Sequence, residues 1–126
     1  MADKPVLYPG PDHPITITPT EGRVVVKVAG TVVADSRAAL TLQESTYPAV
    51  QYIPMRDVAQ NLLKPSSTTT YCPFKGDASY FHVATSASGD AVEDVIWTYE
   101  QPYPAVADIA GHVAFYPDKA EIVVGP

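Results

Sequence analysis

The chain has 126 residues, of which 46% are apolar and 17% charged, a composition that suits one domain with a single real hydrophobic core. Its net charge of −6, with only eight scattered Lys and Arg, excludes the clustered cations that nucleic-acid binding requires. Thirteen prolines argue against long helices and for short strands joined by rigid turns.

Taken in chain order, residues 1–14 (MADKPVLYPGPDHP) carry four prolines and read as an extended arm. Residues 15–126 read as one β-rich domain. Ile15-Thr16-Ile17-Thr18 alternates as a first strand. Arg23–Val28 and Thr31–Asp35 are β-branched runs around Gly30, which predicts a hairpin with that glycine at positive φ. Leu40–Glu44 alternates as a half-buried strand, Tyr47-Pro48 breaks it, and Val50–Ile53 resumes extended structure. Pro54 stands where a first helical turn wants it, and Val58, Leu62 and Leu63 share a face. A single helix of two to three turns is therefore expected over Met55–Leu63, closed by Lys64-Pro65. Ser66–Thr70 is a hydroxyl-rich lead into Cys72-Pro73-Phe74-Lys75-Gly76. Ala78–Ala84 and Val92–Tyr99 read as strands joined by a hairpin turn at residues 86–90. Gln101–Pro104 is a rigid corner, and His112–Tyr116 with Ala120–Val124 is read as a last strand pair. The total is eight or nine short strands and one short helix in a curled or two-sheet antiparallel domain.

One cysteine excludes an internal disulfide and any zinc site built from several cysteines of one chain. His13, His82 and His112 lack helical ligand spacing, so no metal and no cofactor are expected. No apolar run approaches the roughly 18 residues of a membrane helix. The segment MADKPVLYPG carries no signal-peptide pattern, so the expectation is a cytoplasmic protein without membrane contact.

The chemistry-bearing residues centre on the cysteine loop. A thiolate is nucleophilic when a nearby cation lowers its pKa, and Lys75 lies three positions after Cys72 in a proline-held turn. The other reading of Cys72 is a small thiol packed at a loop base. Lys75-Gly76 reads either as an anion site of ammonium and turn N–H groups or as an exposed lysine on a tight turn. It is not a P-loop, since no GxxxxGK[ST] is present. Tyr52, Tyr80, Trp97 and Tyr99 fall on predicted strands, either as core or as the walls of a small-molecule cleft. Glu44 closes an apolar strand and, if buried, needs a partner such as Lys75 or Arg56. No Ser-His-Asp pattern, GxSxG or dinucleotide fingerprint is found.

Several runs occur together in order: Val33-Ala34-Asp35-Ser36, Tyr52-x-Pro54, Thr70-x-Cys72-Pro73-x-Lys75-Gly76-x-Ala78-x-Tyr80, Trp97-x-Tyr99, and Gly111-x-Val113-Ala114-Phe115-Tyr116. The chain thereby resembles the bacterial and fungal family termed domain of unknown function 427, over about residues 15–118. The resemblance implies a mostly-β, β-tent-type fold of two antiparallel sheets. Relatives of that fold, such as methionine sulfoxide reductase B and the thalidomide-binding domain of cereblon, often hold zinc through paired CxxC motifs. With Cys72 alone, neither that zinc nor a reductase mechanism carries over. A nucleotidyltransferase-like name attached to the family finds no DxD metal motif here.

The leading expectation is a small-molecule binding domain. Its cleft would have Cys72, Lys75 and Gly76 at the floor, Tyr52, Tyr80, Trp97 and Tyr99 as walls, and Glu44 paired to Lys75. Lys75 would take an anionic group and the aromatics a planar part. Two alternatives stand beside it: an enzyme with Cys72 as nucleophile, assisted by Lys75, and a structural or assembly module, such as a homodimer through an exposed strand edge.

Overall fold

The computed structural model describes residues 4–85 and 91–126. The hairpin turn expected at 86–90 lies outside these. Ten strands are present among the described residues: β1 (Ile15–Pro19), β2 (Arg23–Val28), β3 (Thr31–Ser36), β4 (Leu40–Glu44), β5 (Val50–Pro54), β6 (Leu63–Cys72), β7 (Gly76–Ala84), β8 (Ala91–Thr98), β9 (His112–Phe115) and β10 (Glu121–Gly125). They form two sheets, one of seven strands in the order β1-β4-β5-β9-β8-β7-β6 and one of three in the order β10-β2-β3. Every pairing is antiparallel. This is the mostly-β, two-sheet class that the sequence implied. No helix among the described residues is long and apolar enough to cross a membrane.

The β2–β3 hairpin forms as its sequence dictates. Val28 pairs with Thr31, leaving Ala29 (φ 49°) and Gly30 (φ 80°) as a two-residue loop of left-handed residues, whose twist matches that of the flanking strands. Alternation then sends Val24, Val26 and Val28 to the inner face, where none is more than 1% exposed. They pack with Ile53, Val83, Ile96, Val113 and Phe115 of the large sheet, which forms the first core. The opposite face of the large sheet carries the second core, built on Leu42, Tyr52, Ala78, Tyr80 and Ala114. Val106 and Ile109 of the 3-10 segment Pro104–Ile109 complete it, both fully buried.

Two local expectations are corrected. The helix expected over Met55–Leu63 is instead two 3-10 turns, Met55–Asp57 and Gln60–Leu62. Val58 separates them in extended conformation (φ −107°, ψ 141°), bridges Ala34, and is 6% exposed in the first core. The next amide, Ala59 N–H, donates to the Val33 carbonyl at 2.7 Å. A tertiary strand contact thus outcompetes the weak local helical pattern. Lys64-Pro65 does not close a helix but lies within β6, an edge strand, where a missing N–H is tolerated. The last two strands do not pair with each other. β9 lies between β5 and β8 in the large sheet, whereas β10 crosses over and pairs with β2.

Candidate functional site: an aromatic cleft ending in an ion pair

The register places an aromatic row across the large sheet. Tyr80 is opposite Trp97, and Trp97 is opposite Ala114. Because Ile53 is opposite Val113, Tyr52 falls beside Ala114 on the same face. Trp97 donates its indole N–H to the Tyr52 hydroxyl at 3.2 Å, and the two rings meet edge to face. Tyr116 completes the group, 4.5 Å from the Trp97 ring and parallel to Tyr80. The Tyr80 hydroxyl bonds both Thr70 Oγ1 (2.9 Å) and the Tyr116 hydroxyl (3.2 Å).

These rings border a cleft of about 700 Å³, within the usual size of small-molecule pockets. Leu42, Val50 and Tyr52 line one side, and Trp97, Tyr99 and Tyr116 another. Tyr47, Pro48 and Ala49 of the β4–β5 turn, together with Ile122 and Val124 of β10, form the outer wall. The cleft therefore lies between the aromatic face of the large sheet and the edge strand of the small one.

Its polar end comes from the cysteine loop. Cys72 pairs with Gly76 across the β6–β7 turn, and Lys75 N–H donates to the Cys72 carbonyl at 3.2 Å. Pro73 occupies the second turn position, where its fixed φ is already correct. Gly76 has φ 109°, a conformation unfavourable to side-chain-bearing residues, and a Cβ there would lie 3.4 Å from the Gln101 carbonyl oxygen. This geometry turns Lys75 inward, leaving it 6% exposed, with Nζ donating to Glu44 Oε1. The other oxygen, Oε2, accepts from His13 Nε2 at 2.7 Å. Burial raises the Glu44 carboxyl pKa, but the hydrogen bonds and charges of Lys75 and His13 outweigh it and hold the group below the ordinary carboxylate range. The neighbouring tyrosines shift the other way. Burial pushes Tyr52 up to about 12, and it also raises Tyr99 and Tyr116.

Six of the sequence-predicted residues thus line one cleft: Glu44, Tyr52, Lys75, Tyr80, Trp97 and Tyr99. Cys72 and Gly76 are not part of its lining. Cys72 is half-buried against the second core, with Sγ 3.9 Å from Lys75 Nζ, while Gly76 shapes the turn. Sequence reasoning did not assign Tyr116 to the cleft, although it placed this residue at the end of the strand read over His112–Tyr116. His13 was missed because it meets Glu44 across 31 residues, and no local pattern signals that contact. Among the described residues, no group of three or more His, Cys, Asp or Glu is placed to hold a metal ion.

Fold and cleft together define a small two-sheet β domain whose aromatic cavity ends in a buried carboxylate–ammonium pair. The family model described as domain of unknown function (DUF427) matches residues 16–125, and the chain belongs to that family. Comparison with curated proteins finds no match.

Proposed function

We propose that the domain binds a small molecule in this cleft, with a planar or apolar body against the aromatic walls and a polar or anionic group at Lys75. The observation that carries this reading is Tyr99. It is 8% exposed, lines the cleft, and its hydroxyl has no hydrogen-bond partner among the described residues. No fully buried side-chain oxygen or nitrogen lacks a partner there, so the Tyr99 hydroxyl keeps its exposure to the cleft. A hydroxyl open to an apolar cavity offers one donor and two acceptor positions to a molecule bound there. Lys75 adds to this. An ammonium has three donors; one goes to Glu44 and one faces the Cys72 sulfur, leaving a third for a ligand.

The nucleophilic reading of Cys72 has less support. The cation that would activate the thiol is engaged by Glu44, and the thiol lies outside the cleft lining.

The test uses N-phenyl-1-naphthylamine, a neutral planar fluorophore, with Trp97, the only tryptophan, as reporter. Saturable one-to-one binding with Trp97 quenching is expected. Ala49→Trp, which plugs the mouth from an exposed position, abolishes it. Lys75→Met leaves the neutral probe bound but weakens its sulfonated analogue, 8-anilinonaphthalene-1-sulfonate, by about tenfold. Absence of binding, or binding indifferent to Ala49→Trp, overturns the proposal.

A further inference from the structure

We infer that His13, contributed by the amino-terminal arm, sets the ligand class of the cleft: a planar aromatic molecule bearing one acidic group, held more tightly when His13 is protonated. This rests on the small-molecule reading above and adds to it a residue outside the cleft lining, which acts through its contact with Glu44 and through its charge.

The arm is fastened to the turn that carries Lys75. Lys4 pairs with Asp77, the Tyr71 hydroxyl donates to the Pro5 carbonyl, and Leu7 N–H donates to the Pro73 carbonyl at 3.0 Å. His13 then lies flat on Phe74, with ring centroids 4.1 Å apart and planes 9° from parallel. Its Nε2 reaches Glu44 Oε2, so Lys75 and His13 hold the two oxygens of one carboxylate between them. The other ring nitrogen, Nδ1, has no hydrogen-bond partner among the described residues, so a second proton adds there without breaking the contact to Glu44.

The charge count follows directly. Glu44 and Lys75 cancel, leaving a neutral polar end when His13 is neutral and a single positive charge when it is protonated. The titratable groups in contact with His13 are Glu44 from β4 and Tyr47 from the β4–β5 turn; Lys75 of the β6–β7 turn stands on the far oxygen of Glu44, with Cys72 beside it. Glu44 keeps its charge into more acidic solution than a free carboxylate does, since Lys75 and His13 hold its carboxyl below the ordinary range. Of the side-chain types at this end, histidine is the one that changes charge within the physiological pH range. An anion bound at Lys75 gains one attractive charge as the pH falls through that range, and a neutral ligand gains nothing.

The experiment titrates two probes that differ only in the sulfonate, 8-anilinonaphthalene-1-sulfonate and N-phenyl-1-naphthylamine, at about pH 5.5 and 7.5. Only the binding that Ala49→Trp removes is scored. The sulfonate is expected to bind roughly threefold to tenfold more tightly at the lower pH, with the neutral probe unchanged. His13→Gln keeps a donor for Glu44 and is expected to hold the sulfonate affinity constant across the range. His112→Gln, at a ring bonded to the Ala110 carbonyl, retains the pH dependence. A sulfonate affinity that is flat with pH in the unmodified protein, or a slope that survives His13→Gln, overturns the inference while leaving the small-molecule reading intact. Failure of both probes to bind overturns the two together.

Discussion

Glu44 is the residue on which the polar end depends. Its side chain is 15% exposed and that of Lys75 is 8% exposed, so neither charge is well solvated without the other. Removing one member of a buried pair leaves the partner uncompensated. Glu44→Gln is therefore expected to destabilise the domain by about 2–3 kcal/mol, slightly less than a fully buried pair would cost. Urea unfolding at neutral pH measures this, and a change under about 0.5 kcal/mol would show the pair to be energetically idle. The sign of the pH dependence is fixed by the same contacts. Because the folded carboxyl titrates below its unfolded value, its stabilisation is fully present above the unfolded pKa of about 4.5. That stabilisation is lost as pH falls through the folded pKa. The urea midpoint should therefore drop on acidification below about pH 4.5, and more shallowly in Glu44→Gln.

Among the elements, the β6–β7 turn shows how a few residues convert sequence into site geometry. Gly76 occupies left-handed backbone at φ 109°, while Gly10 has open space around a would-be Cβ and no positive φ. Gly76→Ala should accordingly cost roughly 1–3 kcal/mol and weaken ligand binding by displacing Lys75, whereas Gly10→Ala should change stability by less than about 0.5 kcal/mol. Thermal unfolding of the two variants side by side tests this, and equal costs would refute the role assigned to Gly76. The turn was legible in the sequence because proline and glycine act locally. So was the β2–β3 hairpin, where β-branched runs and the turn residue Gly30 agree. The segment around Val58 was not. Its apolar spacing suits a helix, and contacts with the distant β3, at Ala34 and the Val33 carbonyl, hold Val58 and Ala59 against it. The separation of β9 from β10 was hidden for a related reason, since alternation marks a strand without naming its neighbour.

At the scale of the whole molecule, the arm, the turn and the two sheets act on one cavity. Six of eight candidate residues converge there because strand register aligns side chains that sequence reading could only recognise one at a time. The contact of His13 with Glu44 had no such signal. Residues 4–13 also cover the loop that holds the thiol, through Leu7 on Pro73 and His13 on Phe74. Deleting residues 1–14 should therefore raise the alkylation rate of Cys72 by about fivefold or more under native conditions, toward the rate of the urea-unfolded chain. An unchanged rate would mean that the arm does not protect the thiol.

The cavity has parents in both sheets. Its charged end is fixed by a constrained turn and an ion pair, whereas its outer wall includes Ile122 and Val124 on a strand with a single neighbour. Under the proposed small-molecule reading, recognition of a functional group and selection by shape are written in separate parts of the chain. Substitutions along β10 can enlarge, narrow or reshape the compartment without disturbing the charges at its other end. Under that same reading, a lineage carrying this fold has a route to new ligands that keeps one chemical handle and varies only the silhouette accepted beside it.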